Sequence, residues 1–137
     1  MEKASFSLEK YVFKKVLIDL DYYKSKELFV NFAPSGIFNK KNSTFNLTFN
    51  FSAYTSKEGG EKPFVSISCV GEFKFTNVKS LEDIPTYFYR NSIAILFPYL
   101  RAFVSMVTNQ ANIPPLILPT MNLTSLEKPL RENTSKN

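Results

Sequence analysis

At 137 residues and 44% hydrophobic, the chain is sized for one domain with a modest core. It holds 14 Phe and 7 Tyr but no His, and without imidazole the Ser-His and Cys-His nucleophile pairs and most zinc sites are excluded. The net charge of +5 is spread along the chain, with three surplus cations in 1–62 and two in 63–137, so no basic block marks a nucleic-acid footprint.

The N-terminal stretch "MEKASFSLEKYVF" lacks the continuous apolar core of a signal peptide. With a single cysteine, Cys69, an internal disulfide is impossible, and a reducing, cytoplasmic setting is the expectation. "SFSLEKYVFKKVLIDLDYY" predicts a long strand with a change of phase. Phe6 and Leu8 alternate first, then Val16, Ile18 and Leu20, with Lys14 and Lys15 between. "KELFVNFAP" adds a short alternating piece through Leu28, Val30 and Phe32, ended by Pro34.

"FNLTFNFSAY" is the clearest strand. Phe45, Leu47, Phe49, Phe51 and Ala53 share one face, and Asn46, Thr48, Asn50 and Ser52 the other. "PFVSISCVGEFKF" repeats the pattern with Val65, Ile67, Cys69, Phe73 and Phe75 inward, and Gly71 predicts a bend or bulge. The Gly59-Gly60 pair between them is hairpin chemistry and predicts antiparallel neighbours.

"SLEDIPTYFYRN" reads as a connector, Ser80 capping a short turn. From Ser92 to about Asn109 the period becomes helical. Ile93, Leu96, Phe97, Leu100, Val104 and Val107 form one stripe, and Pro98 is expected near the start as a kink or first turn. The opposite side carries Ile95, Tyr99, Ala102 and Met106 and is not polar. A helix apolar on both sides needs cover on both sides, and one small sheet covers only one, so a second subunit is predicted. A weak helix from Asn122 to about Arg131 follows. One domain is expected over 1–131, with 132–137 a disordered tail.

No catalytic constellation emerges. Glu82 and Asp83 sit together in a connector, Asp19 and Asp21 on a solvated strand end, and Cys69 on a buried face. No metal site or cofactor is expected. The sequons at Asn42, Asn46, Asn50, Asn122 and Asn133 include polar-face strand positions, where Asn is ordinary. The Phe residues of the sheet follow the buried alternation rather than a base-stacking pattern.

What remains is "ANIPPLILPTMNL", Ala111 to Leu123, which lies in a run with no charge between Arg101 and Glu127. Its prolines exclude a spanning helix and predict an extended segment. Two readings stand for its Ile113, Leu116, Leu118, Met121 and Leu123: a loop packed down over a sheet edge, or an apolar rim receiving extended segments of other chains. The second is preferred, because sheet and helix are expected to fill the core already.

The stretch "ILFPYLRAFVSMVTNQANIPPLILPTMNLTSL" resembles the signature of the SecB protein-export chaperone family. The matching positions are Phe97, Pro98, Tyr99, Arg101, Ser105, Met106, Val107, Pro114, Leu116, Leu118, Pro119, Asn122 and Leu126. "VGEFKF" and "KKVLIDL" are similar to the family's strand end and first strand, so the resemblance runs from about Tyr11 to Leu126. It implies an α+β fold: a four-stranded antiparallel sheet packed on a long helix, with a short C-terminal helix. It further implies a dimer or dimer of dimers, and an ATP-independent holdase without cofactor or membrane insertion.

On that basis Leu28, Val30, Phe32, Ile113, Leu116, Leu118 and Met121 are the expected client contacts. Ile95, Tyr99, Ala102, Phe103 and Met106, on the helix side away from its own sheet, are the expected subunit contacts. The family's acidic positions for the SecA translocase are held here by Lys15, Asp19 and Ser66, which leaves Asp19 as the one retained carboxylate. Some family members serve an antitoxin instead. A dedicated partner of that kind is one alternative. A small apolar-ligand or lipid-binding module is a second, and a nucleic-acid binder a third.

Overall fold

The computed structural model describes residues 3–56, 62–118 and 122–137. Four antiparallel strands, β1 (Ser5–Ile18), β2 (Phe29–Asn39), β3 (Thr44–Tyr54) and β4 (Val65–Thr76), lie in the order β1-β4-β3-β2. The helix α1 (Thr86–Gln110) packs on one face of the sheet, and a shorter helix α2 (Glu127–Glu132) follows. The expected count of four strands needs one correction. Thr134–Lys136 of the polar tail forms β5, which pairs parallel with Gly36–Phe38 of β2 and makes the sheet five-stranded and mixed. The tail is therefore not disordered over those residues. No apolar pattern announces this strand, because it is held by backbone bonds such as Gly36 N–H to the Asn133 carbonyl, 3.1 Å.

The inward positions of β3 and β4 are as their alternation predicts, all of them buried. Phe88 of α1 sits at the centre, its ring in edge or tilted contact with Phe6, Phe45, Phe73 and Phe75 at 4.8–5.4 Å. Gly71 makes no bulge. It pairs in register with both neighbours, and a Cβ there would stand 3.1 Å from Leu96 Cδ1, so the glycine admits the helix. The bulges lie instead in β1, between Leu8 and Lys10 and between Phe13 and Lys15. Each slips the alternation by one residue. The first brings Tyr11 and Phe13 to the helix side, and the second restores Val16 and Ile18 to it.

Two proline expectations are corrected. Pro34 does not end its strand, since β2 continues to Asn39. Gly36, two residues on, points its N–H outward to Asn133, so position 34 points outward too and the missing donor costs no ladder bond. Pro98 lies in the middle of α1, because the helix begins at Thr86 rather than Ser92. Its ring is on the exposed side, where water reaches the carbonyl it leaves without a donor. By length and hydropathy α1 would also suffice to cross a bilayer, but Phe88, Ile93, Leu96, Leu100 and Val104 are spent on the sheet. The Gly59-Gly60 turn lies outside the described residues.

Candidate functional site

The helix ends in a Schellman-type cap. Asn112 takes a left-handed φ of 62°, and the Asn112 and Ile113 amides bond back to the Asn109 and Thr108 carbonyls. The chain then folds back along α1. Thr108 Oγ1 accepts the Leu116 amide at 2.9 Å, and Ser105 Oγ donates to the Leu116 carbonyl at 2.7 Å. This clamp turns Leu116 and Leu118 inward, leaving them 8% and 1% exposed, while Ile117 between them is 71% exposed.

The preferred reading of the prolyl segment is therefore corrected. Leu116 and Leu118 are core residues, packed down as the other reading has it, with the hydrogen bonds that hold the segment made to α1. The extended backbone period of two then puts Ile117 on the surface.

Between the returning segment and α1 runs a concavity of about 500 Å³, lined by Phe97, Pro98, Arg101, Ala102, Ser105, Ile117 and Leu123. Phe97 joins it to β2, since the Phe32 ring lies 6.0 Å from the Phe97 ring. Of the expected client contacts, Phe32 does not line the concavity but adjoins its wall, half-buried against Phe49, Phe51 and Phe97. Val30 and Leu28 are exposed at the start of the same strand. Ile113 is half-buried against the core, and Met121 lies outside the described residues. Leu123, which the rim reading includes, lines the concavity, whereas Phe97, Pro98, Arg101 and Ile117 line it without being among the expected contacts. The strict alternation of 116, 117 and 118 carried the signal for Ile117.

The expected subunit contacts divide. Ile95, Tyr99, Ala102 and Met106 form an exposed stripe. Phe103 is turned to its own sheet, stacked on Phe13 with ring centroids 3.8 Å apart, so its placement on the outward side is corrected. Tyr99 also leans on β1, stacked on Tyr11 at 4.3 Å, yet keeps 42% of its surface open. The first β1 phase shift, between Leu8 and Lys10, puts Tyr11 and Phe13 on the helix side and so makes both stacks possible.

Reactive chemistry is sparse. Burial pushes the Cys69 thiol up to about 11, so it stays protonated and inert. Burial also raises the Tyr89 phenol, opposed by the Arg131 guanidinium 5.0 Å above its ring. Among the described residues no group of three or more His, Cys, Asp or Glu side chains is placed to hold a metal ion. Asp19 caps the turn after β1, accepting the Asp21 amide at 3.1 Å. Lys15 and Ser66 share a different concavity on the opposite face of the sheet.

The fold is a sheet-and-helix layer with a groove of largely aliphatic and aromatic walls along α1. The family model of SecB, the preprotein translocase subunit, matches residues 24–130. The Methanocaldococcus jannaschii protein MJ0357 is 30% identical over 144 residues, covering 98% of this chain and 92% of that protein. The Mycobacterium tuberculosis Rv1957 SecB-like chaperone, solved in complex with a ChAD peptide from the Rv1956 HigA1 antitoxin, superposes with a TM-score of 0.60. That match covers 85% of this chain and 91% of the other at 13% identity, and is a likeness of fold. The chain belongs to the SecB family, and with it to the chaperones rather than the enzymes.

Proposed function

We propose that this chain holds an extended apolar segment of a dedicated protein partner, without nucleotide, in the groove between α1 and the 113–118 segment. The observation that carries the reading is Ile117, an aliphatic side chain held mostly in solvent at the edge of a concavity with largely apolar walls. Burial there would yield roughly 25 cal/mol per Å² of apolar surface. Arg101 offers the partner's backbone a hydrogen-bond donor. Phe32 and Val30 extend the track along β2. The antitoxin peptide held by Rv1957 supports a dedicated partner. General preprotein export is the second reading, favoured by the family's own description; Asp19 would be its single carboxylate toward SecA. A cytoplasmic setting suits either partner.

Light scattering of a denatured client protein, without ATP, tests the groove. Wild type should suppress aggregation, and Ile117→Asp should weaken suppression at least about five-fold, because a carboxylate is placed where apolar surface must lose water. Ile117 is exposed, so the variant should keep the parent's circular dichroism. A folded Ile117→Asp protein that protects as well as the parent would remove this groove from the reading.

A further inference from the structure

The face of the sheet turned away from α1 has no part in the groove. The register places its side chains in rows. Lys15, Ser68, Asn50 and Ala33 form one, and Leu17, Ser66, Ser52 and Asn31 the next. Val12, Val70, Thr48 and Ser35 lie on the other side of the first row. Most of this face is hydroxyl and amide, a bed of hydrogen-bonding groups without charge. Into it opens a concavity of about 550 Å³, lined by Lys14, Lys15, Asn50, Ser52, Ser66 and Ser68.

The charge there is one-sided. None of the described lining residues is acidic, and neither lysine is within ion-pair distance of an acid among the described residues. Glu72, the acid that the register puts on this face, is engaged by Lys10 at 3.5 Å. Lys14 is the extra residue of the second bulge, so the irregularity adds a second cation beside Lys15. Val12 and Leu17, on the same face to either side, are 57% and 49% exposed.

We propose that this face docks an acidic peptide segment of a partner protein, carboxylates on Lys14 and Lys15 and aliphatic side chains on Val12 and Leu17. The serines and asparagines supply donors to the remaining carboxylate oxygens and the peptide backbone. Two cations with aliphatic flanks suit a short peptide better than a nucleic acid. Among the described strand residues, aromatic side chains for stacking stand on this face only at its far end, Phe29 and Tyr54, and a phosphate backbone calls for a longer cationic track. The site is separate from the groove of α1, so the two proposals stand or fall independently.

The test is fluorescence anisotropy with a labelled peptide of alternating Glu and Leu, about eight residues long, enough to cross three strands. Wild type should bind it, more weakly as salt is raised. Lys14→Glu with Lys15→Glu should lower affinity at least about ten-fold, Lys14→Gln with Lys15→Gln should lower it less, and Ile117→Asp should not change it. All these positions are exposed, and unchanged circular dichroism establishes that each variant folds. The proposal is overturned if wild type does not bind the peptide, or if the charge-reversed variant binds it equally. It is equally overturned if a Lys/Leu peptide binds as well, or if a single-stranded oligonucleotide displaces the peptide at equal concentration.

Discussion

Gly36 shows how closely a single residue is constrained in this sheet. A Cβ built on it would overlap the Phe45 ring and lie 3.2 Å from Thr134 Oγ1 of β5. Phe45 is fully buried in the aromatic group around Phe88 and has nowhere to withdraw. Gly36→Ala should therefore lower stability by about 1–3 kcal/mol through overpacking. That exceeds the roughly 0.4–1 kcal/mol that a glycine-to-alanine change gains from a less mobile unfolded chain. Urea denaturation would show it as a lower midpoint at unchanged slope, and an unchanged midpoint would mean that the ring moves freely. Glycine's role at 36 lies in a cross-strand approach, and its neighbours in sequence do not advertise it.

Among the elements, α1 and the segment that returns along it behave as one unit. Thr108 is buried, donates to the Val104 carbonyl at 2.8 Å and accepts the Leu116 amide at 2.9 Å. Thr108→Val keeps the shape and removes the acceptor, leaving a buried N–H without a partner. The expected cost is about 1–3 kcal/mol. Hydrogen exchange should find the Leu116 amide opening before the strand amides do; equal protection in variant and parent would show that the clamp is not what holds the segment. The start of α1, at Thr86, lies before the expected Ser92. Tyr87, Phe88 and Tyr89 have middling helix propensity, and Pro98 drew the expected start toward itself. Phe88 is nonetheless helical, because only a helix there delivers its ring to the sheet's aromatic residues.

At the scale of the whole molecule, the exposed stripe Ile95, Tyr99, Ala102 and Met106 recurs at steps of four, three and four, the spacing of a helix–helix seam. Half-exposed Val16 and Tyr11 continue the apolar surface onto β1. We expect self-association through this surface, as a dimer or larger. Light scattering at micromolar concentration should give a mass above that of one chain, and Met106→Asp with Ile95→Asp should reduce it toward the monomer. A wild-type monomer at that concentration would refute the assembly. Phe103 is left out of this seam, because its ring is already covered by Phe13.

By itself, the sequence determined the faces of β3 and β4, the two-sided apolarity of α1 and the family signature around "FPYLR". Each of these is a local period or a fixed spacing, and periodicity dictates which residues share a side. It did not determine which side finds room. Leu116 and Leu118 went inside because two hydroxyls, 11 and 8 residues earlier in α1, receive the chain between them. The bulges of β1 and the pairing of β5 with β2 also came from contacts remote in sequence. Residues 116 to 118 condense the distinction. Alternation alone set Ile117 opposite to its neighbours, but only the fold decided that Ile117 would be the one facing water.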